Sequence, residues 1–118
     1  MVGINPQHER LLRAMYDAFN ARDIDAALAG SHPDVDWPNA FEGGRVRGHD
    51  AVRAYWTRQW AQVDPRVELL DLNTDDVGRI VALVHLVVRD MAGTLIVDQI
   101  LQHVYSMNEG LVQRMDVW

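Results

Sequence analysis

The clearest alternation of apolar and polar positions runs from Arg79 to Tyr105, RIVALVHLVVRDMAGTLIVDQILQHVY. It reads as two long strands folded back at a two-residue turn, Ala92-Gly93, which pairs Asp90 with Leu95. Side chains alternate across a strand, so this register sorts them onto two faces. One face takes Ala82, Val84, Leu86 and Val88 with Val97, Gln99, Leu101, His103 and Tyr105. The other takes Leu83, His85, Val87 and Arg89 with Ile96, Asp98, Ile100, Gln102 and Val104. The first face is almost wholly apolar and is expected to meet the rest of the domain. The second mixes apolar side chains with His, Arg, Asp and Gln, as a face toward water or another subunit does. A one-residue slip in the turn would bring His85 and His103 onto one face.

Upstream the period is helical. Asn5 can cap a helix that Pro6 starts, and Leu11, Leu12, Met15, Tyr16, Ala18 and Phe19 recur at spacings of three and four to about Ala21. Asp23 can cap a second, short helix, IDAALA, stopped by Gly30. Residues 31–47 hold two Pro and two Gly; Val35 and Trp37 suggest a short strand there, and the rest reads as loop to Gly48. A third helix carries Val52, Tyr55, Trp56, Gln59/Trp60 and Val63 on one stripe and ends at Asp64-Pro65. Strands follow at roughly 66–73, 79–90, 95–106 and 111–118. Three helices before a run of antiparallel strands is an α+β pattern. The expected architecture is a cone-shaped α+β barrel: a curved antiparallel sheet, helices over its concave face, and a pocket at the open end.

Composition narrows the chemistry. The 118 residues suffice for one core, and a net charge of −6 with 11 scattered Arg and no Lys argues against nucleic acid. There is no cysteine, and the five His (8, 32, 49, 85, 103) lack a two-ligand helical or hairpin spacing, so no metal site is expected. No cofactor is expected either: Glu42-Gly43-Gly44-Arg45 is not a phosphate loop, and neither a dinucleotide fingerprint nor a nucleophile elbow appears. Gly43-Gly44 reads as a mobile flap, and His32-Pro33-Asp34 as a turn. With neither a signal peptide pattern nor an apolar run long enough to span a membrane, the default address is cytoplasmic.

Several phrases resemble a known family: Tyr16-Asp17-Ala18-Phe19-Asn20-Ala21-Arg22-Asp23 between two helices, His32-Pro33-Asp34-Val35-Asp36-Trp37 on the first strand, Gly48-His49-Asp50-Ala51-Val52 entering the third helix, and Asn108-Glu109-Gly110-Leu111-Val112 at the last hairpin. The chain resembles the nuclear transport factor 2-like (cystatin-like) superfamily, in particular its SnoaL-like polyketide cyclase and ketosteroid isomerase-related branch, over residues 1–118. That fold hosts isomerases, cyclases, dehydratases and plain binding modules. The resemblance implies homodimers packed through the outer sheet face. The steroid isomerases' catalytic carboxylate falls at Asn39, whose amide cannot take a proton from carbon. Their helical Tyr falls at Met15, beside Tyr16, and their second acid at Gln102 or His103. The polyketide cyclases' histidine, seven residues before the last hairpin's Gly, matches His103. Their aspartate falls at Val117, with Asp116 one residue short on the opposite face.

His103 is therefore the candidate proton-transfer group, and Asn39 the candidate donor to a substrate carbonyl. The bland alternatives are a core histidine bonded to Gln99 or Tyr105, and an ordinary turn asparagine. Met15, Tyr16, Phe19, Trp37, Trp56, Gln99, Leu101 and Met115 are the expected pocket wall, although aromatics at helical spacing are more often plain core. His85 and Asp98, diagonal neighbours on the outer face, are a carboxylate–imidazole pair only the opposite sheet orientation would bring inside. Two functions fit: a cofactor-free acid/base isomerase, cyclase or dehydratase on a small hydrophobic oxygenated molecule, or a non-catalytic ligand-binding or dimerising module.

Overall fold

The computed structural model describes residues 4–118. Two helices open the chain, and a third follows the first two strands. Helix α1 (Pro6–Asn20) starts where Asn5 accepts the Gln7 N–H on its side chain, and Asp23 caps α2 (Ile24–Leu28) by accepting from the Ala26 N–H. Helix α3 (His49–Gln62) buries Val52, Tyr55 and Trp56, while α1 buries Leu12, Met15, Tyr16 and Ala18. Gly30, just past α2, is fixed by close approach: a Cβ there would lie 2.7 Å from the Met15 sulfur.

The strands are β1 (Ser31–Pro38), β2 (Arg45–Arg47), β3 (Val63–Thr74), β4 (Ile80–Asp90), β5 (Leu95–Asn108) and β6 (Leu111–Val117). They form one curved sheet in the order β2-β1-β6-β5-β4-β3. Several details differ from the sequence reading. A second strand, β2, pairs with the end of β1 where only loop is expected. His32-Pro33-Asp34 lies inside β1, at its irregular start, rather than forming a turn. The β1–β6 pairing is parallel, so the sheet is not wholly antiparallel. Strand β3 begins directly after α3 and contains Asp64-Pro65. A proline is tolerated there because β3 is an edge strand with no further ladder to feed.

That edge is also blunted. The Asn20 side chain donates to the Val67 carbonyl (2.8 Å) and accepts from the Val67 N–H (2.9 Å), fastening the end of α1 to β3.

The β4–β5 turn has three residues, not two. Asp90 N–H donates to the Thr94 carbonyl, Gly93 sits at φ 91°, and Asp90 Oδ1 accepts from Ala92 and Thr94. Arg89 therefore faces Leu95, and Asp90 does not pair with it. One residue later Ile96 bulges out, and the shift is undone: Val88↔Val97 through Ile80↔Tyr105 follow the register expected from sequence. The inner face of this hairpin packs Ala82, Val84 and Tyr105 into the core with Leu12, Val35, Val52, Trp56 and Met115. The outer face leaves Ile96, Ile100 and Trp118 exposed. Val104, on that outer face by register, is nevertheless buried.

Candidate functional site

Between the inner sheet face and the helices lies a cavity of about 180 Å³. Helix α1 turns Met15, Tyr16 and Phe19 into it, one helical turn apart, and α3 adds Tyr55, Trp56 and Gln59. From the sheet come Trp37 on β1, Leu86 on β4, and Met115 and Val117 on β6. Strand β5 contributes alternate residues, Gln99, Leu101, His103 and Tyr105. Trp37 and Trp56 meet edge to face with centroids 5.5 Å apart, closing one side.

The polar centre is a chain of three side chains. Tyr105 Oη donates to Tyr16 Oη at 2.6 Å, and Tyr16 Oη lies 2.8 Å from His103 Nδ1. Tyr16 accepts one proton and has one to give, so its hydroxyl points at Nδ1. In that arrangement His103 carries its own proton on Nε2, whereas the reverse relay would put it on Nδ1. The partner of His103 is thus Tyr16, not Gln99 or Tyr105. Burial lowers the His103 pKa to about 4, so the imidazole is neutral at physiological pH. Burial also pushes both tyrosine hydroxyls up, Tyr16 well above its ordinary range, so both stay protonated. Nδ1 is taken, and Nε2 has no protein partner among the described residues yet is not sealed from the cavity.

Asn39 is placed differently. It is buried at the end of β1 but does not line the cavity. Its amide donates to Glu42 Oε1 (3.0 Å) and accepts from the Glu42 N–H (2.8 Å), while its backbone brackets Gly43 and Gly44. Arg58 on α3 grips the same carboxylate through Nε and Nη2; these bonds, Arg58's first and Asn39's second, hold the Glu42 pKa down to about 2. Asn39 organises the 39–44 loop, and since its side chain does not line the cavity it is not placed to meet a substrate carbonyl there.

No charged side chain among the described residues lines the cavity. Asp116 lies on the opposite face of β6, between Arg45 and Arg114, which also hold Asp36. Asp98 pairs with His85 Nε2 at 2.6 Å on the outer face of the hairpin. The described residues hold no cluster of three His, Cys, Asp or Glu able to bind a metal ion.

The SnoaL-like domain family matches residues 12–115, nearly the whole sheet-and-helix body just described. The chain belongs to this family. Solved structures share the SnoaL-like fold at low identity. The protein TerC, co-crystallised with polyporic acid, is 24% identical with a TM-score of 0.82, over 95% of this chain and 90% of that one. An NTF2-like protein of unknown function from Burkholderia pseudomallei is 24% identical with a TM-score of 0.83, covering 97% and 91%. A Mycobacterium tuberculosis protein in complex with estradiol-17beta-hemisuccinate is 18% identical with a TM-score of 0.80, covering 97% and 94%. Comparison with curated protein sequences finds no match. Among the described residues no helix is long and apolar enough to cross a membrane.

Two polar groups of this SnoaL-like chain take parts the sequence reading did not give them: Gln59 lines the cavity, and the Tyr105 hydroxyl reaches His103 only through Tyr16. Tyr105 carried a usable signal, because it alternates with His103 on the inner face. Gln59 carried none, since its helical stripe is shared with Trp56 and Trp60.

Proposed function

We propose that the cavity binds a small, mostly apolar molecule through one acceptor oxygen, a carbonyl above all, which takes the Nε2–H of His103. The observation that carries this reading is the Tyr105–Tyr16–His103 chain. With Tyr105 as the first donor the bonds run in series to His103 and leave its remaining N–H for a ligand, and hydrogen bonds aligned in series polarise one another. A neutral imidazole backed by a tyrosine at Nδ1 is a fixed donor, with no charge to be lost on desolvation. Size supports a small occupant: an apolar cavity of about 150 Å³ holds benzene, so one of about 180 Å³ suits one or two rings. Fold neighbours crystallised with polyporic acid and with estradiol-17beta-hemisuccinate support a ring-bearing, oxygenated occupant, although both of those molecules are larger than two rings.

A donor held at a carbonyl oxygen stabilises the negative charge that grows there during enolisation. That is the electrophilic half of an isomerisation, cyclisation or dehydration. The other half needs a group to accept a proton from carbon, and the lining supplies no carboxylate. The function best supported is therefore binding with carbonyl polarisation, with Tyr16 and His103 in the part first given to Asn39.

Trp37 and Trp56 report on occupancy, so the test is a fluorescence titration with 2-tetralone against tetralin, its oxygen-free counterpart. Wild type is expected to prefer the ketone about five- to tenfold, the worth of one hydrogen bond of about 1 kcal/mol. His103→Leu loses that preference, and Tyr16→Phe loses part of it. Equal binding of ketone and hydrocarbon by wild type sinks the reading.

We propose further that the outer sheet face pairs two copies of the chain. Ile96 and Ile100 are 54% and 63% exposed, and around them Arg66, Glu68, His85, Arg89 and Asp98 roughly balance in charge. A patch with both signs of charge can meet its own copy across a two-fold axis without net repulsion. Sedimentation velocity is expected to show a dimer that Ile100→Glu converts to monomer; a monomeric wild type at high concentration overturns it.

A further inference from the structure

The cavity is not uniformly apolar along its length. His103 stands at its inner end, Leu101 and Leu86 make the middle, and Gln99 stands at the solvent-open end on the same face of β5. Gln59, from the helix wall, lines that cavity too and is only partly buried. Neither glutamine amide has a protein hydrogen-bond partner among the described residues, and neither is sealed off. Gln99 by itself would be an ordinary solvent-facing side chain. A second unpartnered amide on the opposite wall, with apolar side chains between both of them and His103, makes a second polar pole.

We propose that the natural ligand is uncharged and bipolar: one acceptor oxygen at His103, an apolar ring body, and a second oxygen at the mouth held by Gln99 and Gln59. The proposal deepens, and rests on, the carbonyl-binding reading above. Four residues of strand separate the two poles, roughly 13 Å at about 3.3 Å per residue. That is an upper limit on the gap between the two oxygens, because side chains on a concave face converge. An amide both donates and accepts, which suits a hydroxyl or a carbonyl equally. A carboxylate or phosphate at that end would find no cation, since no Arg lines the cavity and the chain has no Lys. Partial loss of its hydration would go uncompensated.

The test adds one group to the probe already used. Wild type is expected to bind 6-hydroxy-2-tetralone about fivefold more tightly than 2-tetralone, and 6-carboxy-2-tetralone more weakly than the hydroxy compound. Gln99→Leu with Gln59→Leu is expected to abolish the hydroxyl's advantage, read as the ratio of the two ketones' affinities within each protein; melting curves confirm that the double variant folds. Equal affinity of the two ketones for wild type, an advantage that survives in the double variant, or tighter binding of the carboxylate each overturns the proposal. These results leave the His103 reading standing. By contrast, 2-tetralone binding indifferent to His103→Leu removes that reading, and the second pole with it.

Discussion

His85 and His103 sit on adjacent strands of one hairpin, and the thickness of the sheet gives them opposite chemistry. His85 lies on the outer face with its side chain 35% exposed, and its Nε2 meets the Asp98 carboxylate, itself 54% exposed. His103 lies on the inner face, where burial lowers its pKa to about 4 and its one side-chain hydrogen bond among the described residues is to a neutral hydroxyl. An imidazole beside a carboxylate in water is the familiar arrangement of a general base. Here that pair lies outside the cavity, and the imidazole inside meets a tyrosine hydroxyl instead of a carboxylate. The lesson is that the polar pair easiest to notice is not the one the fold encloses. The same contrast runs through the whole hairpin: Ala82, Val84 and Tyr105 are core, whereas Ile96 and Ile100 face outward unburied.

The largest effect that can break this comparison is on stability. Tyr105→Ala removes a fully buried ring and the donor to Tyr16, and should cost about 3–5 kcal/mol. Ile100→Ala, at similar depth in the sequence of β5 but on the other face, should change stability by less than about 0.5 kcal/mol in dilute, monomeric protein. Urea unfolding of both variants checks this, and similar losses would mean that the two faces are not distinct.

A smaller effect concerns pH. The folded pKa of His103 is about 4, against 6.5 for a free imidazole, so the folded state favours the neutral form. Above pH 6.5 both states are neutral and this contribution is complete. As pH falls from 6.5 to 4 the unfolded chain takes up the proton first, and up to roughly 3 kcal/mol of stability is lost across that window. His103→Gln is expected to flatten that slope when unfolding is measured at pH 7 and at pH 4.5. A slope that persists unchanged in His103→Gln would assign it to other groups.

How far the sequence could reach is clear from particular residues. The two faces of β4–β5 were legible because period-two alternation survives a mistake in the turn. The loop has one residue more than Ala92-Gly93 allows, and the bulge at Ile96 takes the extra step back. Strand β2 was not legible. Arg45-Val46-Arg47 has no run long enough to show a period, and Arg45 is held by Asp36 and Asp116 from strands distant in the chain. Asn39 could be placed at the end of β1, but its chemistry is decided by Glu42 and Arg58. Likewise His103 could be put on the inner face by alternation alone. Which hydroxyl it meets, Tyr16 at 87 positions' separation or Tyr105 two residues away, depends on how α1 lies across the sheet.

The smallest expected effect is on the outer pair, and it sharpens the comparison by concentration. An exposed ion pair contributes about 0–1 kcal/mol, because water screens it and two side chains must be held still. In dilute protein, His85→Gln should therefore change stability by less than about 1 kcal/mol and leave 2-tetralone binding untouched. At concentrations where two copies pair through this face, water is excluded from the same contact. Removing His85 then leaves Asp98 desolvated without its partner, which costs more than it does in the monomer. The measurement is the dimerisation constant of wild type and His85→Gln by sedimentation equilibrium, with weaker pairing of the variant expected. If the variant pairs as tightly as wild type, the His85–Asp98 contact stays in water in the dimer. The copies then meet elsewhere on the sheet, toward Ile96 and Met91 rather than over the pair.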